Sequence, residues 1–410
     1  VARAIIGLIA ATLLLAACQP AEEPLPTLVG LPATATPEPP PTLEPTATSR
    51  ANRLPPTFTP TTPPPTETPT PTPLPPTPTS TDLDAPGVIL YVYNGDSIIA
   101  QEVDGSSSSL VMTFGVGVPL TDLAPSPDQQ LIAFVGPGGG AAREVYIMNA
   151  SGSYLQQISC LGFEDVRSPA WTPDGSALVW YAAQNRQSPG NLYRATIAGS
   201  NNCPTANGQG MLVRMETMDY HGHVFNRTGD RLFYVKDGNL LEFDSQTQAS
   251  VIAAPGSGFG PNQRPVVNPV DGQLAYLRQQ PSANANIEAS LYLLESTDAG
   301  GSRLTFNTFV PPPVRAALWS PDGRYLLAVG ETDIALRDMR TSRLTTLVSG
   351  LSSPTAIISP DSRFVAYTRP DGLGVAQWRV RELANNRDIA LTRNPEGTIG
   401  GAVWLSSSSD

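Results

Sequence analysis

The sequence predicts an all-β fold, a β-propeller of four-stranded antiparallel blades, and three observations predict it. A turn written Pro-Asp-Gly or a close variant stands between two short apolar runs again and again along residues 87–410, as in ALWSPDGRYLLAV (Ala317 to Val329) and PAWTPDGSALVWY (Pro169 to Tyr181). The copies recur at the interval of a propeller blade. The two ends of the array are complementary fragments of a single blade.

In chain order, the first element is a targeting segment. Residues 1–17 carry Arg3 and then an apolar run from Ala4 to Ala17 that is short for a membrane span and ends in small residues, which predicts a secretion signal. The box LAAC, Leu15 to Cys18, resembles the processing site of bacterial lipoproteins. That resemblance implies an acylated Cys18, contact with a lipid membrane through it, and an extracytoplasmic place on the cell envelope. An ordinary signal peptide or a single anchor helix is the alternative.

Residues 18–86 are dominated by Pro and Thr, as in PPTFTPTTPPPTETPTPTPLPPTPTSTD (Pro55 to Asp82). Too few large apolar side chains are present to offset the entropy of folding, and proline favours the extended polyproline II conformation. This segment is predicted to be a disordered stalk, with a reach on the order of 200 Å at about 3.1 Å per residue.

The copy around Trp319 displays the repeat unit best. Ala317 to Ser320 is one strand, Pro321-Asp322-Gly323 the turn, Tyr325 to Val329 the second strand, Asp333 to Arg337 the third and Arg343 to Val348 the fourth. Proline presets φ at the first corner, aspartate bonds its own backbone, and glycine accepts a left-handed φ. The position of Trp319 aligns with Pro125, Trp171, Phe225, Val267, Ile358 and Trp404, at spacings of 39 to 54 residues. The stretches around Phe225 and Val267 keep the apolar second strand while Asp and Gly shift within the turn. Gly87 to Gly105 supplies second and third strands with no first, and Gly400 to Asp410 supplies a first strand alone. Joined, they close a seven-bladed ring and remove the exposed edges of an open array. Six blades is the alternative if the Pro125 or Val267 copy is irregular.

The Trp-Ser/Thr-Pro-Asp-Gly turn followed by LVWY, LLAV or VAYT resembles the WD-repeat-like propeller repeats of the TolB family, found also in the propellers of prolyl-oligopeptidase-type peptidases. The resemblance spans nearly all of residues 87–410 and implies the fold. It implies little about function, because the motif marks a hairpin and not a site. An α/β domain precedes the TolB propeller and an α/β-hydrolase domain accompanies that of the peptidases. The Pro/Thr segment stands in that place here, so neither the Tol partner role nor peptidase activity is implied.

Composition narrows the chemistry. The 410 residues have a formal net charge of −11 and no Lys/Arg run, so no basic stripe displaces counterions from phosphates, which excludes nucleic acid as a partner. No G-x-S-x-G elbow, P-loop or dinucleotide fingerprint occurs, so no catalytic residue and no cofactor is assigned. The two histidines, His221 and His223, stand two apart on a predicted strand, a spacing that lets both face one way and share a metal with Asp219. Zinc takes three or four protein ligands, which favours a packing or channel-lining role over a metal site. Cys160 and Cys203 fall in neighbouring repeats of an exported domain. Both a disulfide and two inert thiols fit their positions.

Register gives the sharpest functional expectation. Arg167, His221 and Arg315 stand four residues before the aligned position and Arg264 three before, where each inner strand enters the channel mouth. With His223, they are candidate ligand-binding residues. A basic ring on an acidic protein concentrates anions, and arginine forks contact carboxylates or phosphates bidentately. Pairing with Glu164, Asp165 or Asp219 is the competing role for these side chains. The chain is therefore expected to present a non-catalytic binding platform for a protein, or for an anionic glycan or peptide. The alternative is a lyase or hydrolase acting on such a ligand over the channel, near His221, His223 and Arg264.

Overall fold

The computed structural model describes residues 84–115, 117–197, 210–217, 219–281, 286–294, 303–305, 313–391 and 397–406. The signal segment, Cys18, the Pro/Thr stretch up to residue 83 and Cys203 lie outside them. Among the described residues the regular structure is 28 strands, arranged as seven antiparallel four-stranded sheets. Consecutive inner strands touch all the way round and close a ring. Numbered from the N-terminus as blades 1 to 7, their inner strands are Ile399–Leu405, Thr121–Pro125, Asp165–Trp171, His223–Phe225, Asn262–Val267, Val314–Trp319 and Ala356–Ile358.

Blade 1 is the composite one. Its inner strand comes from the C-terminal end and pairs antiparallel with Val88–Tyr93, with Ile89 opposite Trp404 and Leu90 opposite Val403. The ring is closed by main-chain hydrogen bonds within a blade, so Val88–Tyr93 is not left as an open sheet edge.

The second strand of each blade is buried on both faces, because neighbouring blades cover it from either side. Ala177–Ala183 is buried at every position. This is why those strands read as unbroken apolar runs rather than alternating ones. The core consists of seven apolar clusters, one in each seam between adjacent blades. The aligned tryptophans stitch these seams: Trp171 Nε1 donates to the carbonyl of Ala124 at 3.0 Å and Trp319 Nε1 to that of Val266 at 3.3 Å, each one blade back. Trp404 Nε1 reaches Pro86 O at 2.7 Å.

The recurrent turn is a small hydrogen-bonded wheel. In blade 3 the Thr172 hydroxyl donates to Asp174 at 2.6 Å and accepts from the Ala177 N–H at 3.0 Å, while Asp174 accepts from the Ser176 N–H. Ser126, Ser320 and Ser359 repeat this with Asp128, Asp322 and Asp361. In the irregular copies asparagine does the same work. Asn226 accepts from the Arg231 N–H, and Asn268 accepts from the Val270 N–H while donating to Gly323 O of the next blade.

These bonds favour the charged carboxylates. The hydroxyls of Ser126, Thr172 and Thr228 hold Asp128, Asp174 and Asp230 below the ordinary carboxylate range, with Asp174 lowered to about 2. A depressed folded-state value stabilises the protein fully above the unfolded value of about 3.9 and loses that contribution as pH falls through the folded one. These three aspartates therefore contribute nothing to the pH dependence of the thermal midpoint above about pH 4 and a drop between about pH 4 and 2. In a variant carrying Asp128→Asn, Asp174→Asn and Asp230→Asn that drop should be shallower. Parallel curves for the two proteins would contradict the assignment.

Candidate functional site at the channel mouth

Each inner strand runs from an entry at one end of the ring to a turn at the other, and the basic candidates sit at the entry. Five inner strands carry an extra residue there. The pairing register slips between Thr121 and Ala124, Arg167 and Ala170, Gln263 and Val266, and Val314 and Ala316, and opposite Tyr91 to Tyr93 in the closing strand. A β-bulge bends its strand and re-aims side chains, so the bulges form a ring of irregular backbone around the mouth. In blades 2 to 5 the residue three before the aligned position has positive φ: Asp122 (59°), Ser168 (54°), Gly222 (116°) and Arg264 (48°). Glycine adopts this geometry freely. The other three hold it against a steric cost.

Neighbouring entries are bonded to each other. The Ser168 N–H donates to Asp122 Oδ2 at 3.3 Å, and the Arg264 N–H donates to His221 O at 2.7 Å. The side chains divide into two groups. Arg167 forms a fork on Asp165, with Nε at 2.5 Å and Nη2 at 2.7 Å from the two carboxylate oxygens, so its charge is met within its own strand. His221 bonds Asp219 through Nε2 and is half-buried. Both are committed to acids beside them in sequence.

His223 is a packing residue. It is buried in the seam between blades 3 and 4, Nε2 lies 3.1 Å from Val179 O, and Nδ1 lies 2.7 Å from the Tyr220 hydroxyl. A carbonyl only accepts, so Nε2 carries the proton and Nδ1 accepts from Tyr220. Burial pushes its pKa down to about 4, so the ring is neutral near neutral pH and neither nitrogen is free for a ligand. The expectation that His221 and His223 face one way fails for a backbone reason. The strand begins at His223, and Gly222, at φ 116°, breaks the alternation between the two rings.

Arg264 and Arg315 are different. Both are exposed, both stand at the bulges of adjacent inner strands in blades 5 and 6, and neither side chain has a hydrogen bond or ion pair among the described residues. Among the described residues no three His, Cys, Asp or Glu side chains group to hold a metal ion. Cys160, at the entry to blade 3, is disulfide-bonded. Sequence reasoning did not anticipate Asp122 and Ser168 as parts of the mouth. The one available signal was the aligned register, which puts both at Arg264's position.

The fold and the mouth define a seven-bladed β-propeller with an open polar rim. No family model and no curated protein matches the sequence. Among solved structures the chain is similar to the periplasmic gluconolactonase PpgL of Pseudomonas aeruginosa, at 15% identity over 78% of this chain and 99% of that one with a TM-score of 0.55. It is similar to an oligogalacturonate lyase in complex with manganese, at 15% identity over 75% and 86% with a TM-score of 0.52. TolB from Acinetobacter baumannii is matched at 14% identity over 78% of this chain, with a TM-score of 0.47, and this chain spans 66% of it. The likenesses to the gluconolactonase and the lyase show the fold.

Proposed function

We propose that this chain is an extracytoplasmic lipoprotein, anchored through Cys18 and a Pro/Thr stalk, whose propeller binds an anionic glycan or peptide at the channel mouth without catalysis. The observation that carries the reading is the pair Arg264 and Arg315, exposed on adjacent inner strands with no acid to neutralise them among the described residues. Two guanidinium forks on one rim match a ligand with separated carboxylates or phosphates. The described chain begins on the face opposite that rim. Asp84 O accepts from Arg363 at 2.8 Å and Pro86 O accepts from Trp404, so the chain arrives on the turn face, where Arg363 follows the blade 7 turn.

The test is isothermal titration of the full chain against acidic oligosaccharides and acidic peptides, with Arg264→Ala and Arg315→Ala in parallel. Each substitution is expected to weaken binding about tenfold, the equivalent of about 1.4 kcal/mol, with little change in thermal midpoint. Absence of binding across the set, or binding indifferent to both substitutions, would overturn the reading. A second reading, a lyase or hydrolase, rests on His221, which Asp219 orients as it would a general base. Turnover of any bound oligomer that disappears in His221→Ala would replace the binding-only reading with that one. Mass spectrometry of the mature N-terminus decides the anchor, and an unmodified Cys18 would refute it.

A further inference from the structure

Arg278 is a buried cation with no anion paired to it among the described residues. It lies on the second strand of blade 5, directly opposite Asn262 of the inner strand, and is 9% exposed. It forms no ion pair among the described residues. Its Nη2 makes one long bond, 3.4 Å to Gly256 O, its guanidinium sits 5.6 Å from the centre of the Tyr292 ring, and Nη1 is buried with no hydrogen-bond partner. Beside it, Asn262 donates to Ala254 O and Pro255 O, while its own Oδ1 is buried and unpartnered. Buried charges in proteins are normally paired, and an orphaned guanidinium N–H is costly enough to call for a reason.

The cover over Arg278 is the segment PGSGFG, Pro255 to Gly260, which links blade 4 to the inner strand that carries Arg264. It is pinned at its ends, by the Gly256 N–H to Asn239 and by the Asn262 N–H to Gly238 O. Beyond the bonds that Arg278 and Asn262 make to Gly256 O and Pro255 O, the segment's side-chain bonds are internal: the Ser257 hydroxyl donates to Gly260 O and accepts from the Phe259 N–H. Phe259 is 52% exposed at its tip. Gly260 rests so closely on Gln279 that a Cβ there would meet its Oε1 at 1.9 Å, so the glycine lets the segment lie flat. Three glycines, few outward bonds and an exposed aromatic mark a cover that can lift.

We infer that Arg278 is a third anion-binding residue, reached when the Pro255–Gly260 segment lifts, and that the ligand at the mouth is a chain of oxyanions long enough to pass from Arg315 and Arg264 to Arg278. This rests on the reading of the rim given above and extends it from a single anionic group to a polyanion.

Inorganic phosphate and inorganic tripolyphosphate are the probes, titrated into the full chain, into Arg278→Met and into Arg315→Ala. The unsubstituted chain should bind tripolyphosphate at least tenfold more tightly than phosphate. In Arg278→Met that preference should disappear while phosphate affinity is unchanged. In Arg315→Ala both anions should weaken. Hydrogen exchange at residues 256–260 should speed up with tripolyphosphate, and Arg278→Lys should retain part of the preference, which keeps the test open if the methionine variant fails to fold. A thermal midpoint for Arg278→Met at or above that of the parent fits an uncompensated charge, and a collapse rescued by lysine without any anion preference would mark a purely structural residue. Preference intact in Arg278→Met overturns this inference and leaves the rim reading standing. No binding of either anion to the parent chain overturns both.

Discussion

Trp404→Ala is expected to remove about 3–5 kcal/mol of stability and to open the ring. Trp404 is 4% exposed, packs between blades 7 and 1 with its ring 6.5 Å from that of Phe364, and donates to Pro86 O. It also sits on the strand that pairs with Val88–Tyr93, where the ring depends on non-covalent closure alone. Trp171 makes the equivalent contact in blade 3, but there the inner strand runs on through its turn into the second strand of the same blade. Alanine at the two positions should cost similar amounts locally. Only at Trp404 should the change release the closing strand, expose the edge at Val88–Tyr93 and produce concentration-dependent association. Trp404→Phe keeps most of the buried area and gives up the indole bond, so it should cost about 1 kcal/mol. Urea titration with size-exclusion chromatography separates these outcomes. Equal behaviour of Trp404→Ala and Trp171→Ala in chromatography would mean that closure is not the weak joint of the ring.

The architecture was readable because its determinants are local. A Ser or Thr hydroxyl, an Asp two residues on and a residue of positive φ after it (Gly175 and Gly323, or Gln129 and Ser362) assemble one turn without help from elsewhere, and the same chemistry repeats in Ser126, Thr172, Ser320 and Ser359. Asn226 and Asn268 show why the irregular copies still align, since an amide supplies the same acceptor. The strand boundaries around Trp319 agree within a few residues, and the split blade is legible from the two incomplete ends. The mouth was readable only in part. Register placed Arg167, His221, Arg264 and Arg315 at the entries, but which of them keep their charge for a ligand depends on neighbours and on backbone geometry. Arg167 and His221 are met by acids two residues away. His223 turns into a seam because Gly222 carries a left-handed φ. A bulge inserts one residue and leaves no composition or period behind it, so the ring of bulges has no signature in the sequence.

Glu144→Leu should be the most damaging change away from the tryptophans, at about 3 kcal/mol. Glu144, on the third strand of blade 2, is 2% exposed and pairs with no cation among the described residues; its bonds are to the entry loop of blade 3. One oxygen accepts from the Ser159 hydroxyl and from the Leu161 N–H at 3.2 Å, and the other accepts from the Gly162 N–H at 2.7 Å. Leucine fills the space but strands two backbone N–H groups and a hydroxyl, and a buried donor left unmade costs more than a made one contributes. Glu144→Gln should fall between the two, because its amide nitrogen meets a donor on one side. The loop it holds, with the disulfide-bonded Cys160, leads directly into Asp165 and Arg167. Loosening it should disturb that fork while leaving Arg264 and Arg315, two and three blades further round, as they are. Glu144→Gln is therefore expected to lower the denaturation midpoint without changing affinity for an anionic ligand. If affinity falls in step with stability, the ligand lies over blades 2 and 3, and Arg167 would have to exchange Asp165 for it.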